Sequence, residues 1–402
     1  TRQLLLLAVF SITFNCFTWF SGVSQKNKHL RIGVAKANIT PTQPIPMSGY
    51  GGRQGHYQGI QDSLYVFETL FDDGENRAAM ITADLIGFSN QFYQETSKII
   101  EQRTGIPASK LMLAATHNHG GPRNKTYGSE SPPEVDAYVE WLQQRVVGAV
   151  QEATSALVPA KIGVGKGQCT MSINRRAPFA DGNIWLGRNP DGPCDQEVSV
   201  VRIDSQSGVP ISIMTNWATH GTTGGQQNLE ITADWPGATT RFVEEMMAVE
   251  VTAPVTVGAS ADINPIYGPN DRFRDIDAIG MLLAKEVLRV ANQIESHAVS
   301  EISMTQRVIV AKGRKPTDNY RPHQELVSAA PVEIGLTVFK VAGIVFVGIS
   351  GEVMTEIGMA IKEKSPYKHT IIVTHCNGSA GYLVTDETFE EGGYEAMVSR
   401  VM

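Results

Sequence analysis

Cysteine is scarce in this chain of 402 residues, with four in all. Cys16 lies in an N-terminal apolar stretch, and Phe14-Asn15 before it are not the small residues of a lipoprotein site. Cys169, Cys194 and Cys376 remain, an odd and sparse set that excludes a disulfide framework. A single bridge stays open, with Cys169–Cys194 favoured by proximity, and no CxxC spacing offers a thiolate metal site. Basic surface is missing as well. Lys and Arg number 34 against 41 Asp and Glu, a net charge of −7, so no cationic stripe exists to displace counterions from phosphates and nucleic acid is excluded as a partner. There is no long run of like charge, no internal repeat and no linker rich in Pro, Gly or Ser. The glycine-rich segment 47–53 lacks the Lys-Ser/Thr of a phosphate-binding loop. Beyond Lys28 no apolar run is long enough to span a membrane.

What is present is a globular composition, 42% hydrophobic, with room for one large domain or two ordinary ones. The sequence starts at Thr1. Arg2 precedes an almost wholly apolar stretch, residues 4–20, which exits through Ser21-Gly-Val-Ser24 into polar residues. That order reads as a secretory signal peptide over 1–24, cleaved rather than kept as an anchor because the stretch is short for a spanning helix of about 20 residues. The expected location is therefore secreted or periplasmic. Residues 30–402 read as one domain whose pattern stops in mid-element at Met402, as in a fragment.

Strands and helices alternate along that length. Strands are expected at 30–35, at 64–71 and 78–85 as a hairpin, and at 111–115, 198–203, 211–218, 254–259, 301–312, 331–340, 341–349 and 370–374. Helices are expected at 90–103, stopped by Gly105, and at 134–157, 238–249, 275–294 and 350–362. Asp234 sits at or near an N-cap. Residues 172–193 show no periodicity and read as a long irregular segment. The alternation gives an α/β fold class, a single large domain of mixed β-sheets with flanking helices, for which an α-β-β-α layering is one arrangement.

The stretch Leu111-Met-Leu-Ala-Ala-Thr-His117-Asn-His119-Gly-Gly-Pro122 carries the chemistry. An apolar strand ends in two histidines that leave on the same side, their Cα atoms about 6.6–6.8 Å apart. Solvated loop histidines are the plain alternative. The strand 211–218 also ends in a histidine, His220. Other apolar strands end near Asp262, Glu352 and, after a short loop, Tyr382, and such ends converge on ligand sites in α/β proteins. Two histidines, a carboxylate and a water make a catalytic zinc site. Zinc brings the pKa of its water to about 7 and polarises a carbonyl, which suits amide and ester hydrolysis. Spacing alone leaves open which histidines bind.

The chain resembles the neutral, non-lysosomal ceramidases, zinc amidases that cut the N-acyl bond of ceramide. The resemblance runs from about Ile32 to the end. Its blocks are Gly33-Val-Ala-Lys-Ala-Asn-Ile-Thr-Pro41, Thr116-His-Asn-His-Gly-Gly-Pro122, Asn174-Arg-Arg176, Asn216-Trp-Ala-Thr-His220, Ser260-Ala-Asp-Ile-Asn-Pro265, Ser350-Gly-Glu352 and Gly393-Tyr-Glu395. It implies zinc held by His117, His220, Glu352 and Tyr382, with His119 as acid/base beside a zinc-bound water. It implies that Arg175 holds the oxyanion and that Tyr394 hydrogen-bonds near the scissile carbonyl. It also implies a lipid substrate and contact with a membrane surface. The family's catalytic serine is Asn264 here, which cannot be a nucleophile but can orient a carbonyl or water. That departure, and the expected lack of the immunoglobulin-like C-terminal domain of many ceramidases, leave two alternatives. One is the same zinc core acting on another amide or ester, such as a polar or carbohydrate-derived small molecule. The other is a non-catalytic binding protein on this scaffold.

Overall fold

The computed structural model describes residues 29–124, 131–270, 272–299, 301–317 and 325–402. The stretch expected as a signal peptide lies outside them. Two mixed β-sheets pack face to face. The larger has eight strands in the order Val255–Val257, Pro210–Trp217, Glu197–Ser205, Val158–Gln168, Arg31–Asn38, Tyr65–Asp72, Arg77–Ala83 and Leu111–Ala115. The smaller has four, ordered Ile302–Arg314, Ser328–Val341, Ile344–Ile349 and His369–Val373.

Burial explains the sequence patterns. Leu111–Ala115 is buried at every position because one face meets helices and the other meets the second sheet, so its apolar run is continuous rather than alternating. On the helix side, Ile81 and Leu113 pack with Leu142, Val146 and Val150 of the helix Pro133–Ser155. The helices Asp234–Met246 and Phe273–Ala291 cover the other end of the same face through Val243, Ile279 and Leu283. Between the sheets, Met112 and Phe71 meet Phe346 and Phe339, the Phe71 and Phe339 rings edge to face at 5.0 Å. The helix Thr355–Lys364 lies on the outer face of the smaller sheet, where Ile357 and Ile361 pack with Ile349 and Ile372. This is the α-β-β-α layering that the alternation allowed. No described helix is long and apolar enough to cross a membrane.

Three expectations need correction. Residues 172–193 are not irregular: Ser172–Pro178 and Ile184–Asn189 form a hairpin, and Ile263–Pro265 joins it as a third strand. Its buried positions are Ser172, Asn174, Arg175, Arg176 and Ala177, mostly polar and consecutive, so the hydrophobic alternation that announces a strand is absent. The segment 350–362 does not start as a helix. Glu352–Val353 first pairs in parallel with Tyr382–Leu383, and the helix begins at Thr355. Cys169 and Cys194 form no bridge, since both are free thiols. Cys169 is buried in the apolar cluster beneath Phe273–Ala291, whereas Cys194 Sγ lies 3.4 Å from the Ser172 hydroxyl.

Candidate metal centre and active site

Strand ends build the site. Leu111–Ala115 leads to His117, Pro210–Trp217 to His220, and Ile344–Ile349 to Glu352. His117 adopts a left-handed backbone, φ 53°, which turns its ring inward. Its Nδ1 hydrogen-bonds the Ile86 carbonyl at 2.7 Å. His220 Nδ1 does the same with the Ser260 carbonyl at 2.6 Å. A ring whose Nδ1–H donates to a carbonyl keeps its Nε2 lone pair free, the tautomer of a metal ligand. Both Nε2 atoms lie 3.5 Å from Glu352 Oε2, a buried oxygen without a hydrogen bond. His119 Nε2 is 3.4 Å from His117 Nε2, and ligand nitrogens of His117, His119 and His220 all lie within 4.8 Å of one another.

Tyr382 enters through its backbone pairing with Glu352. Its hydroxyl oxygen accepts from Arg175 Nη2 at 3.1 Å, and its ring meets Tyr394 edge to face at 5.8 Å. Arg175 Nη1 lies 3.3 Å from His220 Nε2 and 3.4 Å from the Asn264 amide oxygen. Asn264 Oδ1 also accepts from the Thr222 hydroxyl at 3.4 Å. The eight residues for which the resemblance suggests a part thus gather in one place: His117, His119, His220, Glu352, Tyr382, Arg175, Asn264 and Tyr394. Asp262 stands one layer back. Its carboxylate accepts from Thr355 N at 2.8 Å and Asn174 Nδ2 at 3.0 Å, and burial pushes its pKa up to about 6.

The electrostatics follow from burial and crowding. Burial, then the neighbouring imidazoles, hold His119 well below the usual histidine range. Burial, then Arg175 and His117, take His220 down to about 4. Burial opposes the charge on Glu352, but the imidazoles around it outweigh that and keep its carboxylate ionised. The Tyr382 phenol is pushed well up by burial and by Glu352. Burial works against the Arg175 charge as well, yet Tyr382 and Glu395 more than offset it and the guanidinium stays protonated. Imidazole nitrogens beside an ionised carboxylate form a donor set for a divalent cation.

Several residues of this centre are not evident from sequence patterns. Glu395, 1% exposed, accepts from Arg175 Nε at 2.8 Å and Arg176 Nη1 at 3.0 Å. It lies within the block Gly393-Tyr-Glu395, but nothing in that block points to a buried carboxylate. His375 stacks on His117 with ring centroids 3.8 Å apart. The signal was available, since the apolar strand His369–Val373 also runs into a histidine. Tyr50 packs edge-on against His119 at 5.1 Å, and Arg53 Nη1 donates to the His119 carbonyl at 2.7 Å.

A sequence model described as neutral/alkaline non-lysosomal ceramidase, N-terminal, matches residues 30–265. Neutral ceramidase B of Dictyostelium discoideum is 23% identical over 258 residues, 59% of this chain and 35% of that protein. Neutral ceramidase 2 of Arabidopsis thaliana is 27% identical over 230 residues, 53% of this chain and 30% of that protein. The aligned part is thus about a third of the length of the curated relatives it matches. In fold, the chain superposes on a ceramidase complexed with C2 with a TM-score of 0.79 at 17% identity, covering 93% of this chain and 72% of that one. It superposes on neutral ceramidase from Pseudomonas aeruginosa with a TM-score of 0.76 at 17% identity, covering 92% and 71%. With more than half of its length matched by the family's sequence pattern, the chain belongs to the neutral/alkaline non-lysosomal ceramidase family.

Proposed function

We propose that this protein is a zinc-dependent hydrolase that cleaves the N-acyl amide bond of a ceramide-like lipid, giving a fatty acid and an amine. The observation that carries the reading is the convergence of His117 Nε2 and His220 Nε2, each 3.5 Å from Glu352 Oε2, a buried oxygen with no hydrogen bond. Their Nδ1 atoms are committed to backbone carbonyls. A buried carboxylate oxygen without a hydrogen bond is costly unless a cation meets it. His117, His220, Glu352 and Tyr382 would hold the ion, two nitrogen and two oxygen donors that suit zinc. When bound, zinc supplies Lewis-acid polarisation and makes water a stronger acid.

The chain's own groups do the rest. His119, with its Nε2 3.4 Å from His117 Nε2, stands where it can take a proton from the attacking water and deliver it to the leaving nitrogen. Arg175, fixed by Glu395, stabilises the negative charge that grows on the carbonyl oxygen. Tyr394 lies beside Tyr382 and hydrogen-bonds near the same carbonyl. Asn264 stands where the family's ceramide-cleaving members carry serine, so the reading uses no acyl-serine step. Export through the apolar segment 4–20 and contact with a membrane surface belong to the same reading.

A second reading keeps this core but gives it a more polar amide or ester. Asn264 favours it, because its amide oxygen meets Arg175 and Thr222 inside the site. One experiment tests both. The purified protein is assayed for zinc, then for hydrolysis of fluorescent N-acylsphingosine and of short acyl amides, with and without chelator. Stoichiometric zinc, and N-acylsphingosine cleavage that chelator abolishes, are expected. Zinc with cleavage of the short amides alone selects the second reading. A folded sample that binds no divalent metal ends both.

A further inference from the structure

His375 is unassigned by the reading above, yet it occupies a particular place. Its imidazole lies flat on the His117 ring, with centroids 3.8 Å apart and planes 10° apart. Both residues are buried, His117 to 3% exposure and His375 to 6%. Both have left-handed backbones, φ 53° and φ 52°, a conformation that non-glycine residues adopt at a cost and that the surroundings must enforce. Those surroundings are visible. Cys376 forms a bridge with Ala114 across the two sheets. Asn377 N donates to the Leu113 carbonyl at 2.8 Å, and its side-chain oxygen accepts from Leu113 N at 2.7 Å. His375 N donates to the Gly351 carbonyl at 3.2 Å, one residue before Glu352. The segment 375–377 therefore fastens the strand carrying His117 to the turn carrying Glu352, and the His375 ring fills the space against the face of His117.

We propose that His375 is a positioning residue that fixes the ring orientation of His117 for metal binding. The hydrogen bond from Nδ1 to the Ile86 carbonyl holds one edge of the His117 ring, but a ring held at one edge can still swing about that contact. The flat stack closes off the swing on one side, so Nε2 stays aimed at the point it shares with His220 Nε2 and Glu352 Oε2. Residues that orient a ligand in this way typically change metal affinity by about 10–100-fold when removed. The contact that carries this role is the stack, a flat ring at this distance, which an aromatic ring without nitrogens also supplies.

The inference rests on the proposed metal site, and its test separates the two. Zinc affinity of the full chain is measured by competition with a chromophoric chelator for wild type, His375→Ala and His375→Phe. The absorption spectrum of the cobalt-substituted protein and the circular dichroism of each variant are recorded alongside. Expected are tight binding by wild type, a loss of about 10–100-fold and an altered cobalt spectrum in His375→Ala, and affinity within about 3-fold of wild type in His375→Phe. No binding by folded wild type overturns the metal site itself. Wild-type affinity and spectrum in His375→Ala overturn the positioning role alone. A His375→Phe protein as weak as His375→Ala overturns the steric account, and it remains informative if the alanine variant fails to fold.

Discussion

Arg175 and Glu395, 220 residues apart in sequence, form a hydrogen-bonded ion pair at 2.8 Å with side chains 6% and 1% exposed. The pair ties the hairpin strand Ser172–Pro178 to the short helix Tyr394–Val398. Arg176 shares the same carboxylate at 3.0 Å. Removing Glu395 leaves two guanidinium groups with a lost partner in a buried setting. Glu395→Ala is expected to destabilise the fold by about 3–5 kcal/mol, the usual effect of breaking a buried pair from one side. Glu395→Gln, which keeps an acceptor, is expected to lose less. Urea denaturation followed by circular dichroism measures both, and equal stability of Glu395→Ala and wild type would contradict the structural role given to the pair.

How much of this could be read in the sequence depended on which physical signal each element carries. Leu111–Ala115 and Pro210–Trp217 are apolar runs stopped by histidine and glycine, so strand and ligand candidate were legible together. The helices Asn90–Thr104 and Phe273–Ala291 show their apolar stripe and were legible nearly to their ends. The strand Ser172–Pro178 was not, because most of its buried side chains are polar, Asn174, Arg175 and Arg176 among them, and a polar core reverses the usual code. His375 follows the apolar strand His369–Val373, the same signal that marks His117, but it lies in none of the blocks that carry the resemblance, and its role shows only in its stack on His117. Strand order was beyond reach. Val255–Val257 sits beside Pro210–Trp217, and Val158–Gln168 beside Arg31–Asn38, pairings set by long-range packing rather than by local pattern.

Asn264 offers a test of what the site asks at the position where related ceramidases carry serine. Its amide oxygen accepts from Arg175 and Thr222, each at 3.4 Å. It touches none of His117, His220 or Glu352 through a hydrogen bond. Asn264→Ala is therefore expected to leave zinc content unchanged and to lower kcat/KM about 10-fold, the equivalent of one lost hydrogen bond of about 1.4 kcal/mol. Metal analysis and steady-state kinetics on the same preparation check it. A loss of zinc would place Asn264 among the groups that hold the ion.

Asp84 predicts a pH dependence of stability. It is 3% exposed, at the end of the strand Arg77–Ala83. Burial pushes its pKa up to about 7, assisted by the charges of Asp62 and Glu244 and opposed by the Tyr65 backbone N–H and Lys36. A carboxyl raised in the folded state favours folding in its protonated form. Its contribution is full below the unfolded value near 4 and is lost as pH rises through about 7, on the order of 4 kcal/mol at about 1.4 kcal/mol per pKa unit. Asp84→Asn, uncharged at every pH, is expected to match wild type near pH 4 and exceed its stability at pH 8. Denaturation midpoints at the two pH values measure this, and a variant no more stable than wild type at pH 8 would refute it.

Gly49 separates the two roles open to His119, ligand or acid/base. Its backbone has φ 102°, and a Cβ there would lie 2.6 Å from His119 Cβ, closer than carbon atoms approach. Gly49→Ala must therefore push the His119 side chain, besides straining a turn that favours glycine. His117, His220 and Glu352 are anchored elsewhere, by the carbonyls of Ile86 and Ser260 and by the pairing of Glu352 with Tyr382. If His119 moves protons, zinc stays stoichiometric while kcat falls, within the roughly 100- to 10,000-fold that general acid–base catalysis supplies. That is the expected outcome. If zinc affinity falls in step with kcat, His119 is a ligand, and the group of three imidazole nitrogens within 4.8 Å, rather than the pair with Glu352 and Tyr382, describes how the metal is held.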